Sequence, residues 1–259
     1  MTKAIFFDID GTLVSFDTHT VPSSTIDALT EVKHLGVKIY IATGRSLKQI
    51  DNLHGLTFDG YITMNGAYCV NGRNDIIHKC VIPKEDIEAL IRYQEEHGLF
   101  PVEVMTAEEQ TINYISEQVT SLIQLVNLPM PNIKSLRESS YSEILQMGIF
   151  VDKEKERKIM REVLVHCQST QWNPLFADIN LRGCDKQSGI NYILKHDDIR
   201  LDETMCFGDG GNDISMLRHV AIGVAMGNAS DEVKRTADYV TDTVENDGIW
   251  KALKHFKVI

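Results

Sequence analysis

Short apolar runs and longer amphipathic stretches alternate along the first part of the chain. Residues 4–9 are apolar except at Asp8, which suits a strand covered on both faces of a parallel sheet. Ser23 or Ser24 can cap a helix that reaches about Leu35 and stops at Gly36. Residues 37–42 give a second buried strand, closed by Thr43-Gly44-Arg45. Ser46 can then cap another helix, and residues 61–64 read as a third strand. This β-α-β-α-β order predicts a doubly wound α/β core with a parallel sheet and right-handed crossovers.

The pattern then changes. Asn65-Gly66-Ala67 and Asn71-Gly72-Arg73 are turn signals around short strands and predict a β-hairpin. From Pro83 to about Gly183 the order is helix, strand, helix, a loop with Pro129 and Pro131, then strand, helix and strand. The clearest pieces are helices over 84–97 and 153–167 and strands over 144–151 and 175–181. After Lys186 the first pattern returns: a helix to His196, strands over 205–208 and 222–225, and a Gly-rich turn and a helix between them. The expectation is a core made of residues 1–82 and 184–259, interrupted by an inserted α+β domain over 83–183. No internal repeat or low-complexity segment is visible.

Length and composition add bounds. A chain of 259 residues holds one large or two moderate domains and can bury a substantial core. Lys plus Arg is 26 against 37 Asp plus Glu, a net charge of −11. This argues against nucleic acid as a partner, because phosphate-backbone binding draws on surplus Lys and Arg. Cys69, Cys80, Cys167, Cys184 and Cys206 form no CxxC pair and are odd in number, so reduced thiols are expected. The apolar run at the N-terminus is too short for a signal peptide, and no stretch approaches the ~20 apolar residues of a membrane span. A cytoplasmic protein, a monomer or weak homo-oligomer, is the expectation.

Four polar islands carry the candidate chemistry: Asp8-Ile9-Asp10-Gly11-Thr12, Thr43-Gly44-Arg45, Lys186, and Gly208-Asp209-Gly210-Gly211-Asn212-Asp213. All are expected at the carboxyl ends of core strands, where open α/β sheets bind ligands. Asp8 and Asp10, one residue apart, project to the same side of a strand end, and paired carboxylates repel unless a cation or proton intervenes. A single such island could be only a turn, but four acids, a Thr and a Lys at strand ends argue for chemistry. The acids suit Mg²⁺, a hard cation taking oxygen ligands. Gly11, Gly44, Gly210 and Gly211 let backbone N–H groups approach an anion, while Lys186 offers a point charge and Thr43 a hydroxyl. The set suits phosphoryl transfer through an aspartyl-phosphate.

Asp8-Ile9-Asp10-Gly11-Thr12-Leu13, Thr43, Lys186 and Gly208-Asp209-Gly210-Gly211-Asn212-Asp213 resemble the four motifs of the haloacid dehalogenase (HAD) superfamily. The insertion after the second motif, entered through Asn65-Gly66-Ala67, resembles the Cof-like subfamily with its IIB cap, and the whole chain resembles bacterial sugar-phosphate phosphatases. The resemblance implies a Rossmann-like core and a small phosphorylated metabolite as substrate. It makes Asp8 the nucleophile and Asp10 the general acid/base. Gly11, Thr43, Gly44, Arg45, Lys186 and Asn212 would hold phosphate or substrate. Asp8, Asp10 through its main-chain carbonyl, Asp209 and Asp213 would hold Mg²⁺, with Asp213 acting directly or from behind the other ligands. An acid two residues after the nucleophile is shared by the family's phosphatases and mutases and missing from its dehalogenases. Gln187 stands where many Cof-like members have Gly, which touches only the start of the following helix.

Three rivals remain. A phosphosugar mutase would use the same aspartyl-phosphate. A receiver-like regulator would have no use for Asp10 as a built-in acid/base, nor for an inserted domain. A dinucleotide oxidoreductase would carry GxGxxG where Asp-Ile-Asp-Gly-Thr stands. Arg45 could reach substrate or pair with an acid. Trp172, Asn173, Phe176 and Asp178 fall near the last strand of the insertion, with Trp172 and Phe176 expected in its core. The nine histidines lack metal-like spacing, Asp51 and Asp59 read as solvated acids, and residues 152–161 read as the wet face of a helix.

Overall fold

The computed structural model describes all residues except 51, 52, 54, 126, 140, 141 and 175, and only the backbone at 172 and 173. The chain divides into two compact units, Met1–His78 with Asp185–Ile259, and Lys79–Cys184.

In the first unit the strand order is Tyr239–Val240, Ile222–Ala225, Thr204–Gly208, Ala4–Phe7, Lys38–Ala42, Gly60–Thr63, Tyr68–Asn71 and Ile76–Lys79. The first six run parallel and Tyr68–Asn71 returns antiparallel. The central strand Ala4–Phe7 is buried at every position because both faces are covered. Ile5, Phe7, Ile39, Ile41 and Phe207 pack with Leu29 of helix Ser23–His34 and Leu253 of helix Gly248–His255. Ala4, Phe6, Tyr40 and Cys206 pack with Ile190 and Ile193 of helix Lys186–Asp197. Each such large side chain contributes about 1.5–3 kcal/mol on burial. The doubly wound parallel core is therefore present. Phe7 lies opposite both Ile41 and Phe207, and Gly208 opposite Ala225. This register brings the residues that follow these strands out along one edge.

Local signals were less uniformly realised. Helix Ser23–His34 is capped by Pro22 with no side-chain bond from Ser23 or Ser24. Among the described residues after Ser46 stands a 3₁₀ turn, Leu47–Gln49, and Gln49 Oε1 accepts the Ser46 N–H at 2.7 Å. Asp51 lies outside the described residues. Asp59 is not simply solvated; its Oδ2 accepts the Ile39 N–H at 2.9 Å and braces the neighbouring strand.

The second unit is a six-stranded sheet in the order Cys167–Asn173, Phe176–Leu181, Gln146–Ile149, Val102–Met105, Gln110–Ile112 and Asn132–Ile133. The charged helix ends at Glu162, not at Cys167, which opens a strand instead. The apolar residues after the helix, Val163 and Leu164, are turned into the core by bonds of both N–H groups to the Ile159 carbonyl, 2.9 Å each. Along that helix Glu156 and Ile159 are buried, so its charged run is not wet throughout. One face of the sheet packs Val102, Val104, Met147, Ile149 and Ile179 on Leu90 and Ile159. Phe176 is buried against Phe150, and Asp178 accepts from Gln146 Nε2 at 3.0 Å; the side chains of Trp172 and Asn173 lie outside the described set. Cys69, Cys167, Cys184 and Cys206 are buried and Cys80 is partly exposed. No helix among the described residues is long and apolar enough to cross a membrane.

Glu103 in this unit is buried, with Gln110 Nε2 donating to it, and burial pushes its carboxyl up to about 7. A raised acid costs stability as pH climbs, because the unfolded chain ionises first, near 4.5, and the folded one only near 7. Glu103→Gln should therefore stabilise by an amount that grows between those two pH values and then levels, on the order of 3 kcal/mol at most. Urea unfolding at pH 4, 6 and 8 checks this, and a gain independent of pH would contradict it.

Candidate active site at the carboxyl edge of the core sheet

Asp8 directly follows the central strand, its N–H donating to the Phe207 carbonyl at 3.1 Å. Its Oδ1 accepts from Lys186 Nζ at 2.6 Å, and the same ammonium donates to Asp213 Oδ1 at 2.6 Å. Lys186 is not at a strand end, as its sequence context suggested, but is the first residue of helix Lys186–Asp197. Asp185 caps that helix through the Ser188 N–H at 2.8 Å, which fixes where Lys186 leaves the backbone. The other oxygen of Asp213 accepts the N–H groups of Asp209 (3.0 Å) and Gly210 (2.8 Å). Asp213 thus ties the Gly-rich turn to the lysine. Lys186 and Asp213 are fully buried and Asp8 nearly so.

Asp8, Asp209 and Asp213 each present an oxygen within 4.8 Å of the others. Burial pushes Asp8 up to about 7 against the pull of Lys186, with Asp213 and Asp10 adding to the rise. Asp209 is raised well above the usual carboxylate range by burial and then by Asp8 and Asp213. Burial alone would lower Lys186, but Asp213 and Asp8 outweigh it and hold the ammonium above its ordinary value. Three carboxylates face one ammonium. With all three ionised, two negative charges are in excess, and hard oxygen donors in that balance suit a divalent cation such as Mg²⁺.

The first loop closes over this group tightly. Gly11 has φ 80°, and a Cβ there would meet Asp209 Oδ2 at 2.3 Å, so no side chain fits. Thr12, buried, donates from Oγ1 to Asp209 Oδ1 at 3.1 Å. Asn228 Nδ2 donates to the Gly11 carbonyl at 2.8 Å and to Asp209 Oδ2 at 3.2 Å. Neither Thr12 nor Asn228 was singled out from sequence. Asn228 was within reach of that reasoning, since it stands in the loop after strand Ile222–Ala225, at the same edge.

Thr43, Gly44 and Arg45 follow strand Lys38–Ala42. Thr43 Oγ1 accepts the Arg45 N–H at 3.1 Å. Arg45 pairs with Asp10 through two bonds, Nε to Oδ2 at 2.7 Å and Nη2 to Oδ1 at 2.6 Å. Asn212 Nδ2 donates to Asn65 Oδ1 at 3.0 Å. Asn65 sits in a run of left-handed residues, Met64, Asn65 and Gly66, a backbone choice that costs about 1–2 kcal/mol per non-glycine residue. The Met64 and Asn65 N–H groups are held by the carbonyls of Arg45 and Thr43, 2.9 Å each. The edge therefore gathers Asp8, Asp10, Gly11, Thr43, Gly44, Arg45, Lys186, Asp209, Asn212 and Asp213 in one unit.

The model of the haloacid dehalogenase-like hydrolases matches residues 5–253. The protein YkrA of Bacillus subtilis is 33% identical over 263 residues, covering 100% of this chain and 99% of the relative. The structure of the HAD subclass IIB sugar phosphatase BT4131 is 46% identical and superposes with TM-score 0.93 over 100% of both chains. The B. subtilis 5-amino-6-(5-phospho-D-ribitylamino)uracil phosphatase YcsE is 26% identical, covering 98% of this chain and 95% of the relative.

Proposed function

The chain belongs to the haloacid dehalogenase-like hydrolase family, and from that premise we propose that it is a Mg²⁺-dependent phosphatase of small phosphorylated metabolites, sugar phosphates above all, acting through an aspartyl-phosphate on Asp8. The observation that carries this reading is the buried Asp8 carboxylate, 2.6 Å from Lys186 Nζ, inside a group of carboxylates with negative charge in excess. The sugar-phosphate preference rests on likeness to BT4131. YcsE keeps a phosphorylated ribityl chain within the same class of polyol esters.

An Asp8 oxygen attacks phosphorus and the bond from phosphorus to the alcohol oxygen breaks, while Asp10 protonates that oxygen. Asp10 then takes a proton from water, whose oxygen attacks phosphorus, and the bond to Asp8 breaks to free phosphate. Lys186, Thr43, Gly44 and Asn212 hold the phosphoryl oxygens. Asp8, Asp209 and the Asp10 main-chain carbonyl would hold Mg²⁺, with Asp213 bracing them through the Asp209 N–H. When bound, the ion neutralises charge on the transferred group.

A panel of phosphorylated metabolites assayed with Mg²⁺ tests the reading. Free phosphate should appear from a single sugar phosphate, and its absence alongside isomerised sugar phosphate would favour a mutase. Asp10→Asn should lower kcat on alkyl phosphates by about 10²–10⁴-fold and on aryl phosphates by less, since an aryloxide leaves without a proton. Equal losses on both would weaken the reading of Asp10 as general acid and move its effect to hydrolysis of the aspartyl-phosphate, which both esters share.

A further inference from the structure

The guanidinium of Arg45 does not stand open to a phosphate. It is 6% exposed, and its fork lies on both carboxylate oxygens of Asp10 at 2.7 and 2.6 Å. A third donor, Nη1, bonds the Gln49 carbonyl at 3.0 Å. The backbone that carries the fork is fixed as well. The Arg45 N–H donates to Thr43 Oγ1, and its carbonyl accepts from Met64 at 2.9 Å. The next residue, Ser46, donates its N–H to the Gln49 side chain. Asp10 itself is partly open, its side chain 23% exposed.

A carboxyl on a partly open loop turns about two side-chain bonds and spends little time in any one plane. A bidentate Arg pair sets the plane of the carboxyl as well as its position, and the planar fork does this where a lysine would give only a point contact. Catalytic groups lose rate steeply with small misplacements. We propose that Arg45 is a positioning residue for Asp10, holding the carboxyl in the plane from which it serves the leaving oxygen and then the attacking water, rather than a ligand of the substrate phosphate. This rests on the reading of Asp10 as the acid/base group.

A double-mutant cycle tests it, with a hexose phosphate and p-nitrophenyl phosphate as substrates. Arg45→Ala should lower kcat on the hexose phosphate by about 10- to 100-fold, spare the aryl ester more, and leave KM little changed. In the Asp10→Asn background the same change should cost nothing further. Added guanidinium ion should restore part of the turnover of Arg45→Ala and none in the double variant. Should Arg45→Ala fail to fold, Arg45→Lys keeps charge and stem and should show the same lack of additivity. A raised KM on both substrates with kcat kept, or an additive loss in the Asp10→Asn background, would overturn the proposal while leaving the phosphatase reading intact. Undiminished hexose phosphate turnover by Asp10→Asn alone would instead remove the reading of Asp10, and the proposal with it.

Discussion

Asp8→Asn is expected to lower kcat by at least about 10⁴-fold on every phosphate ester, alkyl or aryl, because it removes the carboxylate proposed as nucleophile for both halves of the reaction. The substitution keeps shape and keeps an acceptor for Lys186, whose Nζ lies 2.6 Å from Asp8 Oδ1. It also removes one of the three crowded carboxylates, so the fold should not suffer. A loss of turnover with an unchanged melting temperature is the expected pair of results. Quenching wild-type enzyme in acid during turnover should trap phosphate on the protein, and Asp8→Asn should trap none. Full activity in this variant would eliminate the covalent route. Sensitivity limited to alkyl esters would move the effect from the nucleophile to proton transfer.

Lys186→Met carries the second large effect, and here stability falls together with activity. Lys186 is fully buried and bonded to both Asp8 and Asp213. Removing one partner of a buried ion pair leaves the other charged in a poor solvent, which typically costs about 3–5 kcal/mol. The penalty is larger in principle here because two carboxylates lose the same counter-charge. Thermal unfolding should show a drop of roughly 6–20 °C, at about 2–4 °C per kcal/mol for a unit of this size. Adding Asp213→Asn should recover part of it, since one stranded charge then disappears. A Lys186→Met protein as stable as wild type would mean that the acids had already protonated and that the ammonium does not hold them ionised.

The parallel core was legible because its strands are buried on both faces. Ala4–Phe7 is an unbroken apolar run, Lys38–Ala42 is apolar and buried after its first residue, and the loops after them carry polar islands. The strand Cys167–Asn173 was not legible, because Gln168, Ser169, Thr170 and Gln171 interrupt any apolar pattern. Only pairing with Phe176–Leu181 makes it a strand, and pairing is a tertiary fact. Asp8, Asp10, Asp209 and Asp213 stood out as acids beside glycines in loops after strands, and Lys186 only as part of a motif set in their order. The pairing of Arg45 with Asp10 could not, since a spacing of 35 residues says nothing about which of several acids an arginine meets. Asn228 was missed for a related reason, since it reaches Asp209 from a loop whose own sequence looks like an ordinary turn, while Thr12 stood inside the first island without a role until its bond to Asp209 was seen.

The bonds that lock the first loop have a consequence for how the chain leaves the ribosome. Gly11 and Asp209 are joined by Asn228, 217 and 19 residues away, and Thr12 reaches Asp209 across 197 residues. Synthesis delivers the N-terminal strand first, yet its Asp8 gains Lys186 only after the inserted unit has been made, and Asn228 later still. Until residues 186–228 have been made, Asp8 stands with Asp10 beside it but without Lys186, Asp209 or the Asn228 clasp. The carboxylates are therefore not crowded until the protein is nearly finished. The repulsion among Asp8, Asp209 and Asp213 arises only once strand Thr204–Gly208 pairs with Ala4–Phe7, so the divalent cation proposed above would be taken up late in maturation.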